Sequence, residues 1–128
     1  MLNKNEFRVL VVEDEAIIGM MIEDMLLEIG CKAVDATASV EGALDFLAET
    51  SPDFAILDIN LNGARSDKVA SALKLRGVPF VFVSGYDAQG VDPEFSETKI
   101  LQKPFRISDL NAAVDEAFAN GNMVRQIV

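Results

Sequence analysis

Two hydrophobic patterns alternate along the chain. Residues 7–12, FRVLVV, form a short apolar run rich in β-branched side chains, the pattern of a strand covered on both faces. In the following segment, 14–30, Ile18, Met21, Ile22, Met25, Leu26 and Ile29 recur at helical spacing, and Gly30 supplies a C-terminal stop. This spacing makes Met21 and Met25 core residues and leaves Met20 open. A weaker, more polar strand is predicted over 32–38, followed by a helix over 40–49 that Ser39 caps and whose Ala43, Leu44 and Leu47 face inward. Residues 53–61, DFAILDINL, read as a third strand that Gly63 terminates.

The second half repeats the alternation. Ser66 is placed to cap a helix over 68–77 with Val69, Ala70 and Leu73 on its buried stripe, and PFVFVSG, 79–85, is the most strongly apolar strand of the chain. Phe80 and Phe82 in that strand are assigned to core packing. Segment 86–98 contains Gly90 and Pro93 and has no sustained helical period, so any helix there is short or frayed. A fifth strand is expected over 98–102, and a last helix over 107–121 carries Leu110, Val114 and Phe118 on one face. Five strands with intervening helices predict an α/β fold: a parallel sheet covered by helices on both sides, in a single domain spanning 1–128.

Composition narrows the chemistry. Eleven basic residues against 21 acidic ones give a formal net charge of -10 over 128 residues. Such a field opposes binding to nucleic acid or anionic membrane and attracts cations and basic protein surfaces. Cys31 is the only cysteine and histidine is absent, which excludes intrachain disulfides, cysteine- or histidine-based zinc sites and serine–histidine triads. No apolar run approaches the about 18 residues that span a bilayer, and a cytoplasmic location is expected.

In an open parallel sheet, chemistry gathers beyond the carboxyl ends of the strands. Here those ends carry Glu13 and Asp14, then Asp58, Ser84 and Lys103. Each has an ordinary explanation alone: acids at a helix N-terminus, a turn-capping aspartate, a serine–glycine turn, a surface lysine. Their joint placement at four strand ends points to a site. Three carboxylates drawn together would raise one another's pKa unless a cation sat among them, and a hard, oxygen-seeking ion such as Mg²⁺ suits that donor set. With the ion, a hydroxyl and an ammonium around it, Asp58 is a candidate nucleophile toward a phosphoryl group, which needs in-line positioning and charge neutralisation more than covalent help.

These residues resemble the receiver domain of bacterial two-component response regulators, through LVVEDE, LDIN, the hydroxyl of VSG and KPF in order. The resemblance implies a flavodoxin-like (βα)5 three-layer sandwich with sheet order 2-1-3-4-5. It implies Mg²⁺ bound by Glu13, Asp14, Asp58 and the backbone carbonyl of Asn60. Asp58 is then the phosphoacceptor, with Ser84 and Lys103 on the phosphoryl group. The donor is a histidine on a kinase or a histidine phosphotransfer protein, output passes through a downstream protein, and the chain is a monomer or weak dimer. The Lys103-Pro104 bond is expected to be cis. RGVPFVFVSGYD and DINLNGARSD further resemble a single-domain alphaproteobacterial subgroup with a PF-x-F-x-T-G-Y motif, which works in stress or cell-cycle phosphorelays; Ser84 replaces its threonine.

One departure bears on mechanism. Where ordinary receivers place a switching aromatic residue, three before the lysine, this chain has Ile100. Tyr86 is the alternative reporter of the site's state, or a half-buried packing residue. Among rival functions, an FMN carrier is disfavoured because Glu13, Asp14 and Glu15 would repel the phosphate, and the GxxxxGK[ST] element of nucleotide enzymes is absent. A dehalogenase-type phosphatase would need an acid where Asn60 stands. The remaining alternatives are a protein-binding or antagonist module independent of phosphorylation, and a phosphate shuttle or sink.

Overall fold

The computed structural model describes residues 3–85 and 92–127, with side chains up to Gly121. After a single 3-10 turn (Lys4–Glu6), the chain forms β1 (Arg8–Val12), α1 (Ala16–Ile29), β2 (Ala33–Thr37), α2 (Val40–Glu49) and β3 (Phe54–Asp58). It continues through a small hairpin, β4 (Asn60–Leu61) and β5 (Ala64–Arg65), to α3 (Asp67–Leu75), β6 (Phe80–Ser84), a 3-10 turn (Pro93–Phe95), β7 (Ile100–Gln102) and α4 (Ile107–Ile127).

The five long strands make one parallel sheet in the order β2-β1-β3-β6-β7, which is the expected (βα)5 arrangement. Its register is fixed at the start of β1, where Asp53 accepts the Arg8 amide through its carboxylate and donates its own amide to the Arg8 carbonyl, both at 2.8 Å. From there Val9 pairs with Val34 on one side and Phe54 on the other. Alternation along the strands then divides the core in two. Val9, Val11, Phe54, Ile56, Val81 and Val83 face α1 and α4, while Leu10, Val12, Ala55, Leu57 and Phe82 face α2 and α3. Both faces are covered, so the strands read as unbroken apolar runs.

Several local expectations hold. Gly30 ends α1 with a φ of 113°, its amide reaching the Leu26 and Leu27 carbonyls, and the Ser39 hydroxyl caps α2 by accepting the Gly42 amide. The Lys103-Pro104 bond is cis. No helix among the described residues is long and apolar enough to cross a membrane. Between β6 and β7 the described helical structure is only the 3-10 turn Pro93–Phe95, in keeping with the weak periodicity there.

Others require correction. The predicted third strand over 53–61 stops at Asp58: Ile59 and Leu61 are buried like strand residues, but the chain reverses through Asn62 and Gly63, with φ of 54° and 88°. Two positive φ values in a two-residue loop are the Asn-Gly pattern of a tight hairpin. Ser66 stands at the N-cap of α3 without capping it, because its hydroxyl donates to the Ile59 carbonyl instead. Met21 is 44% exposed, since the buried face of α1 centres on Ile22 and Leu26 and Met21 lies about 100° round the helix from Ile22. Met20 is exposed as well, whereas Met25 packs on the core. The last helix passes Gly121 and ends at Ile127.

The face toward α3 is braced by three rings. Phe82 and Phe95 are buried and meet edge to face at 5.8 Å, Phe80 completes the set at 5.5 and 6.1 Å, and Ile100, paired in register with Phe82, packs against the same core. Replacing Phe82 by Ala removes the central ring of this cluster and is expected to cost about 3–5 kcal/mol of unfolding free energy, measured by urea denaturation.

Candidate active site

The ladder that fixes the register also builds the site. Val12 of β1 is paired with Leu57 of β3, so the residues that follow, Glu13 and Asp58, stand side by side at the edge of the sheet. Val83 is paired with Asp58, which brings the end of β6 alongside. The Lys103 amide donates to the Ser84 carbonyl at 2.7 Å, extending the β6–β7 ladder by one step and placing Lys103 at the same edge. Glu13, Asp14, Asp58, Ser84 and Lys103 therefore converge from four strand ends.

Carboxylate oxygens of Glu13, Asp14 and Asp58 lie within 4.8 Å of one another. The Lys103 ammonium sits 2.7 Å from Glu13 Oε1 and 3.1 Å from Asp58 Oδ2, donating a hydrogen bond to the latter. The other Asp58 oxygen, Oδ1, accepts the Asn60 amide at 3.2 Å. Glu13 Oε2 accepts the Glu15 amide at 3.3 Å. Glu13 and Asp58 are 6% and 7% exposed, Asp14 is half-buried, and Ser84 is buried at the end of β6.

Charge is the unusual feature. Three carboxylates face one ammonium, and burial followed by the neighbouring Asp58 pushes Glu13 up to about 7, against the downward pull of Lys103 and the Glu15 amide. Burial pulls Lys103 down, but its close contacts with the Glu13 and Asp58 carboxylates outweigh this and hold it above the ordinary lysine value. Glu13 Oε1 is buried and touches the ammonium outside hydrogen-bond geometry, so no directed donor satisfies it. A surplus of buried negative charge, all on hard oxygen donors, with one oxygen lacking a donor, fits a divalent cation such as Mg²⁺.

Of the two switch candidates, Ile100 alone is among the described residues. Ile100 is half-buried and packs against the core cluster that contains Phe82 and Phe95. Tyr86 lies outside the described residues. The sequence reading passed over Phe95 as a core element; its signal was Asp92-Pro93-Glu94, in which the Asp92 carboxylate accepts the Glu94 amide at 3.0 Å and proline opens the turn.

An acidic cluster with a bridging lysine at the carboxyl edge of a β2-β1-β3-β6-β7 sheet is the active-site arrangement of receiver domains, and the family comparison agrees. The response regulator receiver domain model matches residues 9–115, and the chain belongs to that family. The transcriptional regulatory protein PdtaR of Mycobacterium tuberculosis is 30% identical over 116 residues, covering 86% of this chain and 56% of PdtaR. The chain thus spans little more than half the length of that relative. SdrG from Sphingomonas melonis Fr1 has a similar structure, with 38% identity, a TM-score of 0.75, and coverage of 87% of this chain and 95% of SdrG. Its BeF3-activated conformation gives 39% identity and a TM-score of 0.72, over 84% of this chain and 95% of that one. The receiver domain of the Erythrobacter litoralis PhyR response regulator is 26% identical with a TM-score of 0.72, over 88% and 89% of the two chains.

The electrostatics predict how stability varies with pH. Glu13 has an ordinary pKa of 4.5 in the unfolded chain and about 7 in the fold, so the folded state binds the extra proton. Without divalent ions, stability is expected to be fully present below about 4.5 and to fall as pH rises through about 7, and Glu13→Gln is expected to flatten that slope. Urea titrations across this window in chelator-treated buffer measure it. At pH 8, adding millimolar Mg²⁺ is expected to raise the melting temperature of the wild type and to leave Asp14→Asn nearly unmoved.

Proposed function

We propose that residues 1–128 form a single receiver domain that accepts a phosphoryl group on Asp58 from a phosphohistidine of a partner kinase or phosphotransfer protein. The observation that carries this reading is the Lys103 ammonium held between Glu13 and Asp58 in a buried cluster that still has a carboxylate excess. A site of that charge suits a dianionic phosphoryl group only when cations accompany it. Glu13, Asp14 and Asp58, with the Asn60 carbonyl, would hold Mg²⁺, which when bound neutralises charge on the phosphoryl oxygens.

The chain's own groups do the rest. Asp58 is fixed by the Asn60 amide on one oxygen and Lys103 on the other, so its attack requires little reorganisation. One Asp58 oxygen forms a bond to phosphorus as the phosphorus–nitrogen bond of the donor breaks and the imidazole leaves with the bond's electron pair. Lys103 stays charged at neutral pH and is near enough to Asp58 to meet an oxygen of the incoming group, while the Ser84 hydroxyl donates to another. Water attacking phosphorus later expels the Asp58 carboxylate and restores the site, giving a self-limited cycle without an external small-molecule product beyond phosphate.

Output, in this reading, passes through protein contacts. The 38% identity with SdrG, its BeF3-activated conformation and the PFVFVSGYD and DINLNGARSD segments support a place in the subgroup of single-domain receivers, with a cytoplasmic setting and a monomer or weak dimer. With an aliphatic, half-buried Ile100 at that position, the switching role falls to Tyr86 rather than to the fifth strand.

Intact mass after incubation with Mg²⁺ and a small acyl phosphate is the direct test. A single phosphoryl adduct is expected, dependent on Mg²⁺ and absent in Asp58→Asn. A folded, Mg²⁺-binding wild type that takes no phosphoryl group from either the acyl phosphate or a phosphorylated histidine donor would overturn the reading in favour of a phosphorylation-independent binding module.

A further inference from the structure

Ser66 is the one fully buried hydroxyl of the described residues that the chemistry above does not use, with 0% exposure. Its hydroxyl and its own amide both donate to the Ile59 carbonyl, each at 3.1 Å. Ser66 also begins α3, accepting the Ala70 amide at 3.0 Å, so these donors are mounted on a regular element packed into the core through Val69, Ala70 and Leu73. The carbonyl they hold belongs to the Ile59–Asn60 peptide. In a trans peptide the C=O and N–H point in opposite directions in one plane. Anchoring the Ile59 carbonyl therefore aims the Asn60 N–H, and that N–H is the donor 3.2 Å from Asp58 Oδ1.

Two further bonds leave this peptide little freedom. The Ile59 amide donates to the Val83 carbonyl at 3.1 Å, tying the residue to β6 beside Ser84. The Asn60 side-chain oxygen accepts the Gly63 amide at 3.1 Å, closing the hairpin from the other end. The hairpin's Asn62-Gly63 turn brings the chain back so that Ser66, seven residues beyond Ile59, can reach it.

We propose that Ser66 is a positioning residue for the phosphoacceptor: through the Ile59–Asn60 peptide, its hydroxyl orients the amide that holds the Asp58 carboxylate for attack. The proposal rests on the reading of Asp58 as the nucleophile. Without the hydroxyl, the carbonyl keeps one donor, the peptide plane gains freedom to tilt, and the Asp58 carboxylate loses a fixed partner while the donor-binding groups remain in place.

The test combines kinetics with a probe of the peptide itself, in wild type, Ser66→Ala and Val69→Ala, the last a core variant of the same helix that lowers stability while leaving the Ser66 hydroxyl in place. Phosphorylation by a small acyl phosphate at saturating Mg²⁺ is followed by intact mass, and the Asn60 amide by ¹H–¹⁵N correlation. Ser66→Ala is expected to lower the maximal rate about five- to tenfold, with the half-saturating donor concentration unchanged. Its Asn60 amide proton is expected to shift upfield, and Val69→Ala is expected to match wild type on both measures. A wild-type rate in Ser66→Ala, or a slower rate with an unmoved Asn60 resonance, overturns the proposal. If the wild type takes no phosphoryl group yet Asn60 still moves in Ser66→Ala, the link from Ser66 to Asp58 stands and the phosphoacceptor reading is what fails.

Discussion

The attraction between one ammonium and two buried carboxylates organises the reactive edge of this molecule. Lys103 reaches Glu13 at the end of β1 and Asp58 at the end of β3, and is itself tied by its amide to Ser84 at the end of β6. Removing one partner from such a cluster leaves buried charge uncompensated, which is far more costly than the net worth of the pair. The three strand ends are thus held together by charge at the top, while the apolar ladder holds them below. The cluster also stays one positive charge or more short of balance, and the same imbalance that strains the fold makes the site receptive to a cation.

Much of this was readable from the residues because strand ends are where short apolar runs stop. The abrupt change from Val12 to Glu13, from Leu57 to Asp58 and from Val83 to Ser84 pointed to the edge of the sheet, although the apolar Ile59 and Leu61 carried the third predicted strand past it. Pattern failed where burial and conformation part company. Ile59 and Leu61 are as apolar and as buried as strand residues, yet they sit in a hairpin, and only the Asn62-Gly63 pair carried that information. Ser66 illustrates a different limit: a serine before a helix is a cap by local statistics, but a carbonyl that the hairpin returned to it competed successfully for the hydroxyl. Met21 was misplaced because α1 is apolar around most of its circumference, so spacing alone does not select the buried side.

The two faces of the sheet differ in how they are filled. Toward α1 and α4, aliphatic side chains dominate around β1 and β6, with Phe7 packing edge to face on Phe118 and a Lys4–Asp115 ion pair fastening the N-terminal turn to α4. Toward α3, Phe80, Phe82 and Phe95 form a cluster of rings over which the Lys74 ammonium lies at 5.7 Å. Phe95 is thereby the anchor by which the segment preceding β7 is held to β6, the strand that ends in Ser84. Ile100, half-buried, joins that packing from β7.

The parallel ladder also sets what each strand pairing must withstand. Parallel neighbours need long crossovers, and each functional group arrives from a distant stretch of chain, Lys103 standing 45 residues beyond Asp58. The β1–β3 pairing by itself brings Glu13 and Asp58 together with no lysine between them, so contacts such as Val9 with Phe54 and Val11 with Ile56 must hold the strands against that repulsion. The counter-charge enters only as β7 docks beside β6. The charge balance of the site is therefore a property of the whole sheet, and no single pair of strands carries it alone.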